Sequence, residues 1–188
     1  MHNKQASCQQ GFTLVEAMIV VAIIAVLLAV AVPSFSDFFE KNRLKRAAEE
    51  VYGLIAKAKA ETVVRNMDLS VSVDTTQWCA GYAAVAACVC DPDSTVTCTV
   101  PVAGTAVTEV IDGADLKEKG VTITENFTGT GPTFNSVRGT AGAGTIGLSA
   151  GEWDLNVVVS PQGRVKICAP CSSKASMGYP ICPTPVCP

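Results

Sequence analysis

At 188 residues the chain has room for one modest domain beside a long helix, and 14 basic against 17 acidic side chains leave a formal charge of −3. From Asp68 onward six bases face eleven acids, a balance that excludes a domain-wide basic surface for nucleic acid. The one histidine is His2, so the rest of the chain lacks the commonest general base.

Residues 1–11 are polar, with Lys4, His2 and Cys8. Gly11-Phe12-Thr13-Leu14-Val15-Glu16 follows, and then twenty residues without a charge, Ala17 to Ser36. A carboxylate at Glu16 is costly inside apolar surroundings unless it finds a partner. A cut after Gly11 would create that partner, a free α-amine on Phe12. A secretory signal places its apolar run ahead of the cleavage site. Here the run comes after it, so the anchor would stay on the processed chain. Cys8 would leave with the leader, reducing nine cysteines to eight, the even count that complete pairing needs.

Residues 12–36 are apolar all round and long enough for a bilayer span. Pro33 removes one helix hydrogen bond and predicts a bend rather than a stop. Residues 37–66 read as an amphipathic helix, with Leu44, Ala47, Ala48, Val51, Leu54, Ile55, Ala58 and Thr62 at spacings of three and four. Together they predict one helix of about 55 residues, on the order of 80 Å long.

After Asn66 the period changes to two. Leu69–Val73, Ala80–Ala87, Val107–Ile111, Val121–Glu125, Thr133–Val137, Leu155–Ser160 and Arg164–Ile167 are the predicted strands. Ser160-Pro161-Gln162-Gly163 is a turn signal between the last two. The stretch from Thr99 to Gly147, rich in Gly, Thr and Ala, specifies strands poorly and predicts long loops. The fold class is therefore α+β: a long N-terminal helix whose second half packs on an antiparallel β domain of one or two sheets, residues 67–188. Aromatics are only 6% of the chain, so the core must be aliphatic and thin, and staples would help it. Trp78, Tyr82 and Trp153 are expected in that core.

The cysteines form two clusters: Cys79, Cys88, Cys90, Cys98, and Cys168, Cys171, Cys182, Cys187. Cysteine so abundant suits an oxidising compartment and structural disulfides. Cys168-Ala169-Pro170-Cys171 also has the spacing of a zinc or redox pair. No histidine supports the first, and no βαβ frame supports the second. Eight cysteines allow 105 connectivities; pairing within each cluster is the simplest. The tail from about residue 168 is rich in Cys and Pro, and its final segment, Pro180 to Pro188, cannot be regular structure and would drift without those bonds. No acid pair, no phosphate loop and no cofactor motif stands out, which predicts a non-enzyme without cofactor, metal or small-molecule substrate.

The segment Gly11–Glu16 with its apolar run resembles the leader and N-terminus of type IV pilins and type II secretion pseudopilins. That resemblance implies that a prepilin peptidase cuts after Gly11 and methylates Phe12. It also implies that Glu16 pairs with an amine, its own or a neighbour's, as residues 12–36 leave the inner membrane and pack among other subunits. Before assembly the chain would cross that membrane once, with its C-terminal domain in the periplasm. Pro33 falls where many type IV pilins carry a proline. Beyond residue 36, Ala60-Glu61-Thr62-Val63-Val64-Arg65, Leu69-Ser70-Val71-Ser72-Val73, Trp78-Cys79-Ala80-Gly81-Tyr82 and Ser160-Pro161-Gln162-Gly163-Arg164-Val165 resemble the minor pilins and pseudopilins of the FimT/FimU/GspH type. The number of cysteines and the Cys/Pro-rich tail depart from that pattern. The implied function is a minor type IV pilin, a subunit of a pilus or of its tip complex. The alternatives are a type II secretion pseudopilin and a DNA-binding minor pilin. For the last, Gly163-Arg164-Val165-Lys166 is similar to a stretch carried by DNA-binding relatives, making Arg164 and Lys166, with Lys174 and Arg138, candidate DNA contacts.

Overall fold

The computed structural model describes residues 12–84, 87–91, 95–102, 104–129, 131–174 and 176–182, and only the backbone for 30–34. Gly11, Cys8 and Cys187 lie outside the described residues. Helix α1 runs from Leu14 to Arg65 without interruption, through Pro33. The chain divides after Phe39 into two compact units.

In the first unit, Thr13 opens the helix. Its hydroxyl accepts the Glu16 backbone N–H at 3.2 Å and its carbonyl accepts the Ala17 N–H. Thr13-Leu14-Val15-Glu16 thus has the Thr-x-x-Glu pattern of a capping box, with the threonine half of it formed. Every described side chain from Phe12 to Ala29 is exposed. Among the described residues no helix is long and apolar enough to cross a membrane; the apolar run continues in the sequence through residues 30–34, whose side chains are not described.

In the second unit, the rest of α1 buries one face: Leu44, Ala47, Ala48, Val51, Ile55 and Ala58 are fully enclosed. The helix ends as Asn66 takes a left-handed conformation (φ 50°). The Asn66 N–H then reaches the Val63 carbonyl and the Met67 N–H the Thr62 carbonyl, a Schellman closure.

Among the described residues ten strands follow: β1 Leu69–Asp74, β2 Cys79–Ala83, β3 Thr99–Val102, β4 Thr105–Thr108, β5 Val110–Asp112, β6 Thr122–Glu125, β7 Thr133–Phe134, β8 Gly144–Ala150, β9 Trp153–Val159 and β10 Val165–Cys168, with a short helix α2 Ala114–Glu118 between β5 and β6. They form a sheet ordered β5-β2-β1-β7, a sheet ordered β10-β9-β8-β6 and the hairpin β3-β4. All strand pairs are antiparallel. The inward residues of both large sheets, among them Leu69, Val71, Ile146, Leu148, Leu155 and Val157, join α1 in one core that also buries Trp78 and Trp153.

Several boundaries differ from expectation for physical reasons. The run Val107–Ile111 splits at Glu109, whose N–H bonds the Cys98 carbonyl while its own carbonyl takes the Tyr82 N–H; the chain switches there from the β3 hairpin to β2. The predicted strand from Ala80 stops at Ala83, and the one from Thr133 stops at Phe134, where Asp68 captures Asn135 and Ser136. β8 sits in the middle of its sheet although its glycines pointed to loop. Gly147 is there because any side chain would meet the Thr124 hydroxyl, 2.7 Å from a Cβ position.

The first sheet is buried on both faces. Inward lie Val71 and Tyr82; outward lie Ser70, Ser72 and Gly81, where the Cys88 N–H donates to the Ser72 hydroxyl and Cys98 covers Gly81. Two bridges, Cys79–Cys90 and Cys88–Cys98, hold that cover. A Cβ on Gly81 would fall 2.6 Å from the Cys98 sulfur, so the sheet accepts the bridge because this residue has no side chain.

Candidate functional site

The residues singled out for processing and assembly belong to the first unit. Phe12 is exposed, Glu16 stands in the first turn of α1, and Pro33 lies inside the helix. Leu14, Met18, Val21 and Ala22 border a shallow apolar groove along this helix, with no polar group to orient a small ligand. Such a surface offers area for another apolar surface and little else.

The four cations proposed for DNA do not form one patch. Arg164 closes the turn before β10 and Lys166 lies within that edge strand, whose Val165 and Ile167 pack on the core. Arg138 joins Arg164 instead through the backbone. Gly163, at φ 70°, presses on Gly139, so that a Cβ there would sit 2.3 Å from the Gly139 carbonyl oxygen and 3.8 Å from Lys59 Cε. The Ala141 N–H donates to the Pro161 carbonyl and fixes the contact. Lys59 thus lies against Gly163, and Arg138 and Arg164 are the chain neighbours of the two touching glycines. Lys174 is at the other end of β9: its ammonium bonds Glu152 at 2.7 Å and, with Lys41, flanks the Trp153 ring.

Around the end of α1 the charges are tied to the sheets. Lys57 bonds Glu109 at 2.6 Å, and Arg65 pairs with Glu61 while donating to the Pro101 carbonyl. Burial pushes the Tyr82 phenol up from its ordinary pKa, and the Glu109 and Glu61 carboxylates push it further. Backbone and hydroxyl donation from Ser136 holds the Asp68 carboxyl below its ordinary value.

The tail after β10 is a strap. Cys168 bonds Cys182, not Cys171 three residues away, so the C-x-x-C spacing forms no redox pair of its own; Cys171 is itself disulfide-bonded. The strap adds a parallel bridge, Ala169 to Ile181, and lays Met177 and Tyr179 on the core. The Tyr179 hydroxyl donates to Glu49 on α1 at 2.8 Å, and burial followed by that carboxylate pushes its pKa up to about 12. Sequence reasoning left this tail irregular; the aromatic at 179 was the available sign that it docks. Among the described residues no group of His, Cys, Asp or Glu could hold a metal ion.

A family model described as type II transport protein GspH matches residues 47–163, and a prokaryotic N-terminal methylation motif matches residues 6–32. A fimbrial protein of Pseudomonas aeruginosa is 46% identical over 56 residues, 30% of this chain and 35% of that protein. A type IV major alpha-pilin of Moraxella bovis is 44% identical over 45 residues, 24% and 28% respectively. The chain thus spans about a third of the length of the curated relatives it matches. The type IV minor pilin FimU of Pseudomonas aeruginosa aligns with a TM-score of 0.49 at 18% identity, over 69% of this chain and 91% of that one. The minor pseudopilin EpsH from the type 2 secretion system of Vibrio cholerae aligns with a TM-score of 0.49 at 14% identity, over 68% and 97%. The GspH model covers more than half of the chain, from the second half of α1 to the turn before β10, and with the methylation motif ahead of it the chain belongs to the GspH family.

Proposed function

We propose that this chain is a minor pilin: a structural subunit, not a catalyst, that is anchored in the inner membrane by residues 12–36 and then drawn into a fibre or its tip complex. One observation carries the reading: a methylation motif over residues 6–32 runs directly into a helix whose second half is the spine of a GspH-family domain. Prepilin peptidase cuts after Gly11 and methylates Phe12. Glu16 then meets an amine, its own or a neighbour's, so that neither charge enters the apolar bundle alone. The exposed first half of α1 packs against other pilins, and the β domain supplies lateral contacts. Before assembly that domain faces the periplasm, where its disulfides form.

Glu16 has two candidate roles, charge neutralisation and the capping box, and one pair of variants separates them. Glutamine keeps the capping box and loses the charge. Glu16→Gln and Glu16→Ala should both fail to enter fibres, scored by immunoblot of sheared fibre fractions, with the domain folded in each. Normal incorporation of Glu16→Gln would remove the charge-pairing role.

The family's description as a type II transport protein favours a second reading, a pseudopilin of a type II secretion system. Pro33 weighs toward the pilus. Deleting the gene and assaying twitching against protein secretion distinguishes them.

A further inference from the structure

The meeting of Gly139 with Gly163 gathers three cations that no sequence motif joins. Lys59 comes from α1, Arg138 from the 135–139 turn and Arg164 from the 160–164 turn. Among the described residues none of the three has an ion-pair partner. Two exposed valines lie beside them: Val137, 85% exposed, precedes Arg138, and Val63, 62% exposed, stands one helical turn beyond Lys59 on the same face. The carboxylate tied to this turn, Asp68, is spent on Ser136 and Asn135. A basic, partly apolar surface thus stands on a domain whose sequence from Asp68 onward is acidic.

We infer that this surface docks a protein partner through a segment that alternates carboxylates with aliphatic side chains. The two guanidinium groups suit carboxylates, to which they can bond bidentately. The valines would bury against the partner's aliphatic residues. A nucleic-acid strand fits less well. The three cations are grouped around one glycine contact rather than strung along a strand, Lys174 is held at the far end of β9, and the exposed apolar residues next to them, Val63 and Val137, are aliphatic and give a base nothing to stack on. This surface does not depend on which fibre the chain enters.

The test is fluorescence anisotropy on the full chain in non-ionic detergent. One probe is a labelled peptide alternating glutamate and valine; the others are single-stranded and duplex oligonucleotides of matched charge. The peptide should bind more tightly than either oligonucleotide. Arg138→Gln/Arg164→Gln should weaken it by roughly tenfold or more, while Lys166→Gln/Lys174→Gln leaves it unchanged. Val137→Ser, at a position too exposed to affect folding, should weaken the peptide by about threefold and the oligonucleotides not at all. The inference is overturned if the peptide does not bind, if an oligonucleotide binds tighter, or if neither the double arginine variant nor Val137→Ser changes peptide binding.

Discussion

The two halves of α1 share one helix and opposite fates. From Phe12 to Ala29 every side chain is exposed although nearly all are apolar. From Leu44 to Thr62 the residues at spacings of three and four are enclosed, and among the charges between them Arg46 pairs with Glu50 and Lys57 with Glu109. The second half satisfies its apolar face within the chain. The first half does not, and in the function proposed above a bilayer or other subunits cover it. The difference separates the residues that hold this protein together from those that join it to something else.

The sharpest way to break that comparison is to shorten an isoleucine in each half. Ile55→Ala, in a site with no exposure, should cost about 2–5 kcal/mol of domain stability. Ile23→Ala, 55% exposed, should change it by less than about 0.5 kcal/mol. Urea titration followed by tryptophan fluorescence reads both; equal costs would erase the distinction. The strap sharpens the comparison, because it touches only the second half. Cys168→Ser/Cys182→Ser opens a loop of sequence separation 14 and should cost roughly 3 kcal/mol. The smallest effect is titration of the strap. Tyr179 has its pKa raised to about 12 in the folded state. Its contribution is complete below the unfolded value near 10 and is lost as pH rises through about 12. Absorbance titration of the tyrosinates should show a step near pH 12 that Tyr179→Phe removes.

The parts that read well from sequence are those where one physical signal acts alone. Helical periodicity in 44–62 and strict alternation in Leu69–Val73 each report a face turned to a core, and β1 begins at the expected residue. Gly144–Ala150 alternates as well, with Ile146, Leu148 and Ala150 inward, but its glycines mask the pattern. They serve packing against β6 and not a turn. The three bridges whose partners are described pair within their clusters as expected, but which cysteine takes which was illegible because the first two interleave along the chain, Cys79 to Cys90 and Cys88 to Cys98. Such pairing follows from the register of β2 and the path of the segment covering it, neither of which spacing encodes. For the same reason the grouping of Arg164 with Lys174 failed. They are ten residues apart in sequence, but the direction of the β9–β10 hairpin takes them to opposite ends, while Arg138 and Lys59 come to Arg164 through a contact between two glycines.

The account depends on where the processed chain begins. Intact-mass and N-terminal peptide mass spectrometry of the protein recovered from membranes and from sheared fibres measures that directly. The expected species starts at Phe12 with one added methyl group, and Gly11→Val should leave the leader in place. A chain that still carries Met1, or starts anywhere other than Phe12, would contradict the charge pairing at Glu16 and the assembly reading built on it.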